Sequence, residues 1–286
     1  MEERRDEIRN FILDIRTLPT LPGIVSKLNS LAENDKSSIQ EMARLVSSDQ
    51  VLSARILRLA NSPSYGFYRV ATISNAMILL GVDVVKSLVL SSSIFEIMEK
   101  SALGLWEHSL GAGVAANIIA KRLHLPECEE ISTAALLHDI GKVIIHLKLE
   151  DSYADILTMT AEKEIPMHEA ERALTGTDHA EVGGWLAKNW FLPEKLAVPI
   201  ACHHDVESTV AHQAKTAVVH LADILIKAGG FGFSGDECVP LIQPTAWKRL
   251  GMTEALLAEI VDELEEKLID AKNFSLEIQS ADDPQA

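Results

Sequence analysis

Ala134-Ala135-Leu136-Leu137-His138-Asp139-Ile140-Gly141-Lys142 is the stretch on which the reading of this chain turns. It sits in an apolar run, residues 131–147, that would be a plain core helix without His138 and Asp139. Burying an imidazole and a carboxylate costs several kcal/mol unless partners replace the lost hydration. Asp223 poses the same problem between Leu221, Ala222 and Ile224. A divalent cation offsets that penalty for many polar groups at once, and mixed imidazole and carboxylate donors suit Fe, Mn, Zn or Ni. For His138-Asp139 taken alone, a satisfied ion pair or a helix-cap network explains the pattern equally well.

Outward from this stretch, apolar residues recur at helical spacing and no segment alternates like a strand, so the expected fold class is all-α. Ser37 or Ser38 with Glu41 forms a capping-box pattern, and Asp49 can cap the next helix, which Pro63 ends. A helix begins at Thr72 or Ser74 and stops near Gly81, and Asp83 caps another that runs to about Lys100. Further helices are expected over residues 105–123, 127–140, 153–164, 167–174, 179–190, 194–202, 209–227 and 254–271. The glycine-dense segment Gly229-Gly230-Phe231-Gly232-Phe233-Ser234-Gly235 reads as a loop. The break near residue 100 divides a two-lobed helical bundle: residues 1–100, residues 101–275, and a polar, disordered tail over 276–286.

Bulk composition narrows the function classes. With 286 residues, 47% hydrophobic and 24% charged, the chain can bury one large core or two smaller ones. Its net charge of −16, with no run of Lys or Arg, argues against direct nucleic-acid binding, which needs clustered cations to displace phosphate counterions. A phosphorylated ligand would be repelled unless bound cations reversed the local field. Residues 76–90 and 131–147 are the richest apolar runs, and Asp83, Lys86, His138, Asp139 and Lys142 interrupt them, so no membrane span is expected. The N-terminus has no continuous apolar core of the secretory type. Cys128, Cys202 and Cys238 are widely separated and odd in number, which fits reduced thiols and a cytoplasmic location.

Four further segments carry polar residues of the same kind: Trp106-Glu107-His108-Ser109, Asp178-His179-Ala180-Glu181-Val182-Gly183, Ala201-Cys202-His203-His204-Asp205 and His220-Leu221-Ala222-Asp223. Adjacent side chains leave a helix about 100° apart, so His138 and Asp139 on one helix would not chelate a single ion by stacking. They could serve two neighbouring ions with the carboxylate as bridge, and His203-His204 follows the same logic. Two metals about 3.5–4 Å apart could clamp a phosphoryl oxygen.

In order and local context, His108, His138-Asp139, His179, His203-His204 and Asp223 resemble the ligand pattern of the HD superfamily of metal-dependent phosphohydrolases. Lys142 matches a lysine of the cyclic-dinucleotide phosphodiesterase branch, which implies a phosphate contact should the chain be an enzyme. In the first hundred residues, Leu18-Pro19-Thr20-Leu21-Pro22, Ser48-Asp49-Gln50-Val51-Leu52-Ser53, Leu57-Arg58-Leu59-Ala60-Asn61-Ser62 with Tyr65-Gly66, and Ile73-Ser74-Asn75-Ala76 through Leu80-Gly81 resemble the HDOD family of bacterial signalling output domains. That resemblance spans about residues 15–270. It implies an HD-type helical core over 101–275, a role in signal transduction through protein partners, and no generally established enzymatic activity. Asp205-Val206-Glu207-Ser208-Thr209 stands where the cyclic-di-GMP phosphodiesterases carry Gly-Tyr-Pro, which argues against that activity.

The expected function is therefore a regulatory output module that retains a metal centre, with one ion or a pair and Fe or Mn ahead of Zn or Ni. The rivals are a metal-dependent phosphohydrolase acting on a nucleotide or other phosphodiester, and a metal or redox sensor. Lys142 lies one helical turn from Asp139, so a simple ion pair explains it as well as a phosphate does. His220 reads as a core histidine or a brace for Asp223. His124, His146, His168 and His212 receive no role. Trp185, Trp190 and Trp247 read as core anchors with no cations clustered around them.

Overall fold

The computed structural model describes residues 2–14, 73–80, 104–189 and 194–281, and every regular element among them is a helix. The chain divides into two compact units: residues 15–96, and residues 1–14 together with 97–286. In the smaller unit the described element, after α1 (Glu2–Asp14) of the larger one, is α2 (Ile73–Leu80), which buries Met77 and Leu80. Its limits match the start and stop signals at Thr72 and Gly81. The motifs quoted between Leu18 and Ser62, with Tyr65-Gly66, lie outside the described residues, as do Trp190 and residues 282–286.

The larger unit continues through α3 (Leu105–Arg122), α4 (Cys128–Leu137), α5 (Ile140–Lys148), α6 (Glu150–Lys163), α7 (Met167–Thr175), α8 (His179–Asn189), α9 (Glu194–Cys202), a 3-10 turn at Val206–Ser208, α10 (Gln213–Ala228), α11 (Pro244–Arg249) and α12 (Glu254–Ala281). Helix α3 is built on small residues. Ala112, Ala115, Ala116 and Ala120 are fully buried, which lets α4, α10 and α12 pack close around it. Ser132 Oγ donates to Gly113 O across the α3–α4 contact at 2.7 Å. Arg122 at the end of α3 reaches Glu259 and Glu263 on α12. The last helix continues to Ala281, past the end expected near Ala271.

One departure from the expected helices shapes the site, and one departure from the expected lobes concerns the first helix. Residues 127–140 do not form one helix. Helix α4 ends at Leu137, His138 and Asp139 form a turn, and α5 starts afresh at Ile140. The cause is local: His138 Nδ1 donates to Ala135 O at 2.6 Å, and the His138 backbone N–H reaches the same carbonyl at 3.4 Å. That carbonyl is used up by an i,i+3 turn, so the regular ladder stops there. The apolar run is thus split between two helices, and its polar pair sits at their junction.

The second departure concerns α1, which packs against α8 and α5 in the larger unit. Asn189 donates to Ile12 O at 2.9 Å, and Arg5 pairs with Glu181. The guanidinium groups of Arg5 and Arg9 lie 5.4 and 5.8 Å from the Trp185 ring, so this tryptophan does have cations around it. They come from the far end of the chain, where local sequence context could not show them. Trp247 packs against the core as expected. No helix among the described residues is long and apolar enough to cross a membrane.

Candidate metal centre

Four helices and one junction bring polar side chains to a common point. Helix α3 supplies His108, the α4–α5 junction His138 and Asp139, the start of α8 His179, the end of α9 His203 and His204, and α10 Asp223. Six of the seven are no more than 3% exposed, and His204 is half-buried. The seven residues singled out from the sequence are thus all brought together. The junction answers the geometric objection raised for adjacent side chains on one helix: His138 Nε2 and Asp139 Oδ2 stand 3.4 Å apart.

Donor atoms fall into three overlapping groups, each within 4.8 Å: His108, His138 and Asp223; His138, Asp139 and His203; and His179, His203 and His204. His108 Nε2 is 3.1 Å from Asp223 Oδ1 and 3.4 Å from His138 Nε2. His179 Nε2 is 3.1 Å from Asp139 Oδ1 and 2.8 Å from His204 Nε2. Despite these approaches, Asp139 Oδ1, Asp223 Oδ1 and His203 Nε2 are buried and make no hydrogen bond. Three buried donor atoms without hydrogen-bond partners, set among imidazoles and carboxylates this close together, are compatible with a divalent cation.

The outer nitrogens are spoken for. His138 Nδ1 donates to Ala135 O, His203 Nδ1 to Ile200 O at 2.8 Å, and His179 Nδ1 to Glu171 Oε2 at 2.6 Å. These bonds place a proton on each Nδ1 and leave each Nε2 facing inward. His220 braces His203 rather than Asp223: its Nδ1 donates to His203 O and its Nε2 accepts from the Gln243 backbone N–H.

Lys142 forms the ion pair expected from its spacing. Its Nζ lies 2.7 Å from Asp139 Oδ2 and also donates to Ser234 O at 2.7 Å. Ser234 belongs to the glycine-rich loop, which lies tight against the start of α3. A Cβ on Gly232 would come within 2.3 Å of His108 N, and Phe233 N donates to Gly104 O. Three features escaped the sequence reading. Glu171 is fully buried on α7, His168 stacks on His204 with ring centroids 4.1 Å apart, and Ser234 and Asp236 close the loop over Lys142 and Lys227. All depend on long-range approach, and no local spacing rule marks them.

Electrostatics follow from burial and neighbours. Burial alone would push the Asp139 carboxyl up, but His138, Lys142 and His179 outweigh it and hold it well below the usual carboxylate range. Burial is likewise outweighed at Asp223 by the neighbouring His108 and His138 imidazoles and the Lys227 ammonium, which hold it well below the usual carboxylate range. Burial and then neighbouring imidazoles push His203 and His204 well below the usual histidine range. At His179 the burial penalty is overcome by Glu171, which raises the imidazole to about 9.

A pH dependence follows for the metal-free chain. His108, His203, His204 and His220 are lowered, chiefly by burial, and His168 falls to about 4 for the same reason. They are neutral when folded and bind protons on unfolding below about pH 6.5, so stability falls as pH drops through that value. The His168 share is fully lost by about pH 4. His179 works in the opposite sense, its contribution present below about 6.5 and lost as pH rises toward 9. Urea denaturation in chelator should therefore show stability falling steeply from pH 7 to 5. A flat profile there would contradict the buried neutral imidazoles.

Together these features define an all-helical protein with a buried His/Asp cluster compatible with a divalent-metal site. The chain belongs to the HDOD family, whose model, the HDOD domain, matches residues 18–206. An HDOD domain protein of unknown function from Geobacter sulfurreducens is 32% identical and superposes with a TM-score of 0.78, over 95% of this chain and 97% of that one. A proposed phosphohydrolase from Shewanella amazonensis, 22% identical, shares the fold with a TM-score of 0.70 over 93% of this chain and 97% of its own. An uncharacterized protein of Treponema pallidum is 26% identical over 197 residues, 67% of this chain. The chain covers only 38% of that relative's length.

Proposed function

We propose that this chain is a regulatory output module of bacterial signalling whose helical core holds a divalent metal centre. The observation that carries this reading is the convergence of seven side chains from five separate segments on one buried point, with three donor atoms left unpaired. His108, His138, Asp139, His179, His203, His204 and Asp223 would hold one ion or two, with Fe or Mn favoured by the mix of imidazole and carboxylate. A bound cation would supply positive charge to the two buried carboxylates and Lewis acidity toward an oxygen ligand. Signalling proteins are the partners this reading anticipates, by family membership rather than by any surface feature.

Phosphodiester hydrolysis is the weaker alternative. Lys142 is 2% exposed and already donates to both Asp139 and Ser234, so its ammonium is not free to meet a phosphate. The nearly complete burial of the ligand cluster likewise favours a structural or sensing metal over open turnover.

Protein purified without chelator or a nickel column tests this directly. Elemental analysis should find stoichiometric transition metal in the wild type and little in Asp139→Asn, with no turnover across a panel of nucleotides and phosphodiesters. A wild type without metal would remove the metal centre. Metal-dependent hydrolysis lost in Asp139→Asn would install the enzyme in its place.

A further inference from the structure

Glu171 lies on α7, outside the ligand set, with 0% exposure. Its Oε2 accepts two hydrogen bonds from one residue: the backbone N–H of His179 at 2.8 Å and His179 Nδ1 at 2.6 Å. Its other oxygen, Oε1, is buried with no hydrogen-bond partner. A carboxylate taken this far out of water for a single partner residue is costly, so its role should lie with that partner.

Helix capping does not account for it. Asp178, immediately before α8, already accepts from the backbone N–H of Glu181 at 2.8 Å, as an N-cap residue does. What Glu171 adds is a grip on the imidazole. With Nδ1–H committed to Glu171, the remaining nitrogen, Nε2, points to Asp139 Oδ1 at 3.1 Å and His204 Nε2 at 2.8 Å. The other inward imidazoles with a paired Nδ1, His138 and His203, use neutral backbone carbonyls. His179 alone among these three has a charged acceptor, which strengthens the bond and the basicity of the opposite nitrogen.

We infer that Glu171 is a positioning residue that fixes His179 with Nε2 presented to the candidate metal centre, making His179 its strongest imidazole donor. The inference rests on the metal-centre reading for its consequence, while the hold on His179 can be observed without metal. Glu171→Gln keeps the volume and an acceptor oxygen but removes the charge. It should weaken Mn(II) binding, followed by the EPR signal of the free ion, about 10–100-fold. Asp178→Ala should lower the thermal unfolding midpoint yet leave Mn(II) affinity within about threefold, because an N-cap bond contributes to helix stability and not to the centre.

In the metal-free chain, the side-chain 15N resonances of His179 should report Nδ1–H hydrogen-bonded to a carboxylate in the wild type and move in Glu171→Gln. Loss of Mn(II) affinity in Glu171→Gln no greater than in Asp178→Ala would overturn the inference. So would a metal-free His179 spectrum that the substitution leaves unchanged. A wild type that binds no Mn(II) would overturn the metal-centre reading instead, and the metal-free spectrum would still decide whether Glu171 holds His179.

Discussion

Gly141→Ala should cost about 3 kcal/mol or more, at the upper end of what overpacking a core costs, and should scatter the candidate ligands. A Cβ at this position would lie 2.0 Å from His179 O, 2.7 Å from His179 C and 2.8 Å from Gly183 N. All three are backbone atoms, so no side chain can rotate away. Relief requires α5 and α8 to separate, and that moves His179 from Asp139. Gly111→Ala is the instructive control. Its Cβ would meet only side chains, Phe231 at 2.7 Å and Ile226 at 3.1 Å, which can give way at a cost of about 1 kcal/mol. Urea denaturation of both variants reads the difference. A Gly141→Ala protein as stable as the control would mean that the α5–α8 crossing is looser than the structure describes.

Lys142→Met should destabilise the metal-free protein by about 3 kcal/mol, the lower end for a broken buried pair, because only the His138 and His179 imidazoles then compensate the Asp139 charge. Asp139 would keep its carboxylate at 1% exposure without the ammonium 2.7 Å away, and Ser234 O would lose its donor. Metal should reverse most of this. A cation bound at Asp139 replaces the missing charge, and the gap between variant and wild type should shrink to about 1 kcal/mol, the share of a lost neutral hydrogen bond. The measurement is paired denaturation in chelator and in saturating Mn(II). An equal gap in both conditions would show that Lys142 matters for packing, and that the cluster does not exchange an internal cation for an external one.

Local pattern made much of the site legible. His138-Asp139 inside an apolar run, and Asp223 inside another, are visible because hydration lost by a charge must be replaced by something. Gly141 and Gly183 stood in the same quoted segments, but their purpose was not visible: close approach of two backbones depends on which helices cross. The break at His138 was also missed, since an apolar run by itself does not say where a side chain will capture its own helix's carbonyl. Glu171 and His168 were passed over for a related reason. An acid and an imidazole on a short amphipathic helix resemble surface residues until the partner helix is in place.

The helical class and most helix limits in residues 104–281 were legible in the sequence, because periodicity is a local property of a chain. Buried polarity marked His138, Asp139 and Asp223 in the same way, while His108, His179, His203 and His204 joined them through the family resemblance. Only the tertiary structure decided which nitrogen of each imidazole faces inward, that Lys142 is tied to both Asp139 and the glycine-rich loop, and that α1 joins the larger unit. Those outcomes depend on distances between residues far apart in the chain. Such distances follow from how whole helices pack, and no window of neighbouring residues contains them.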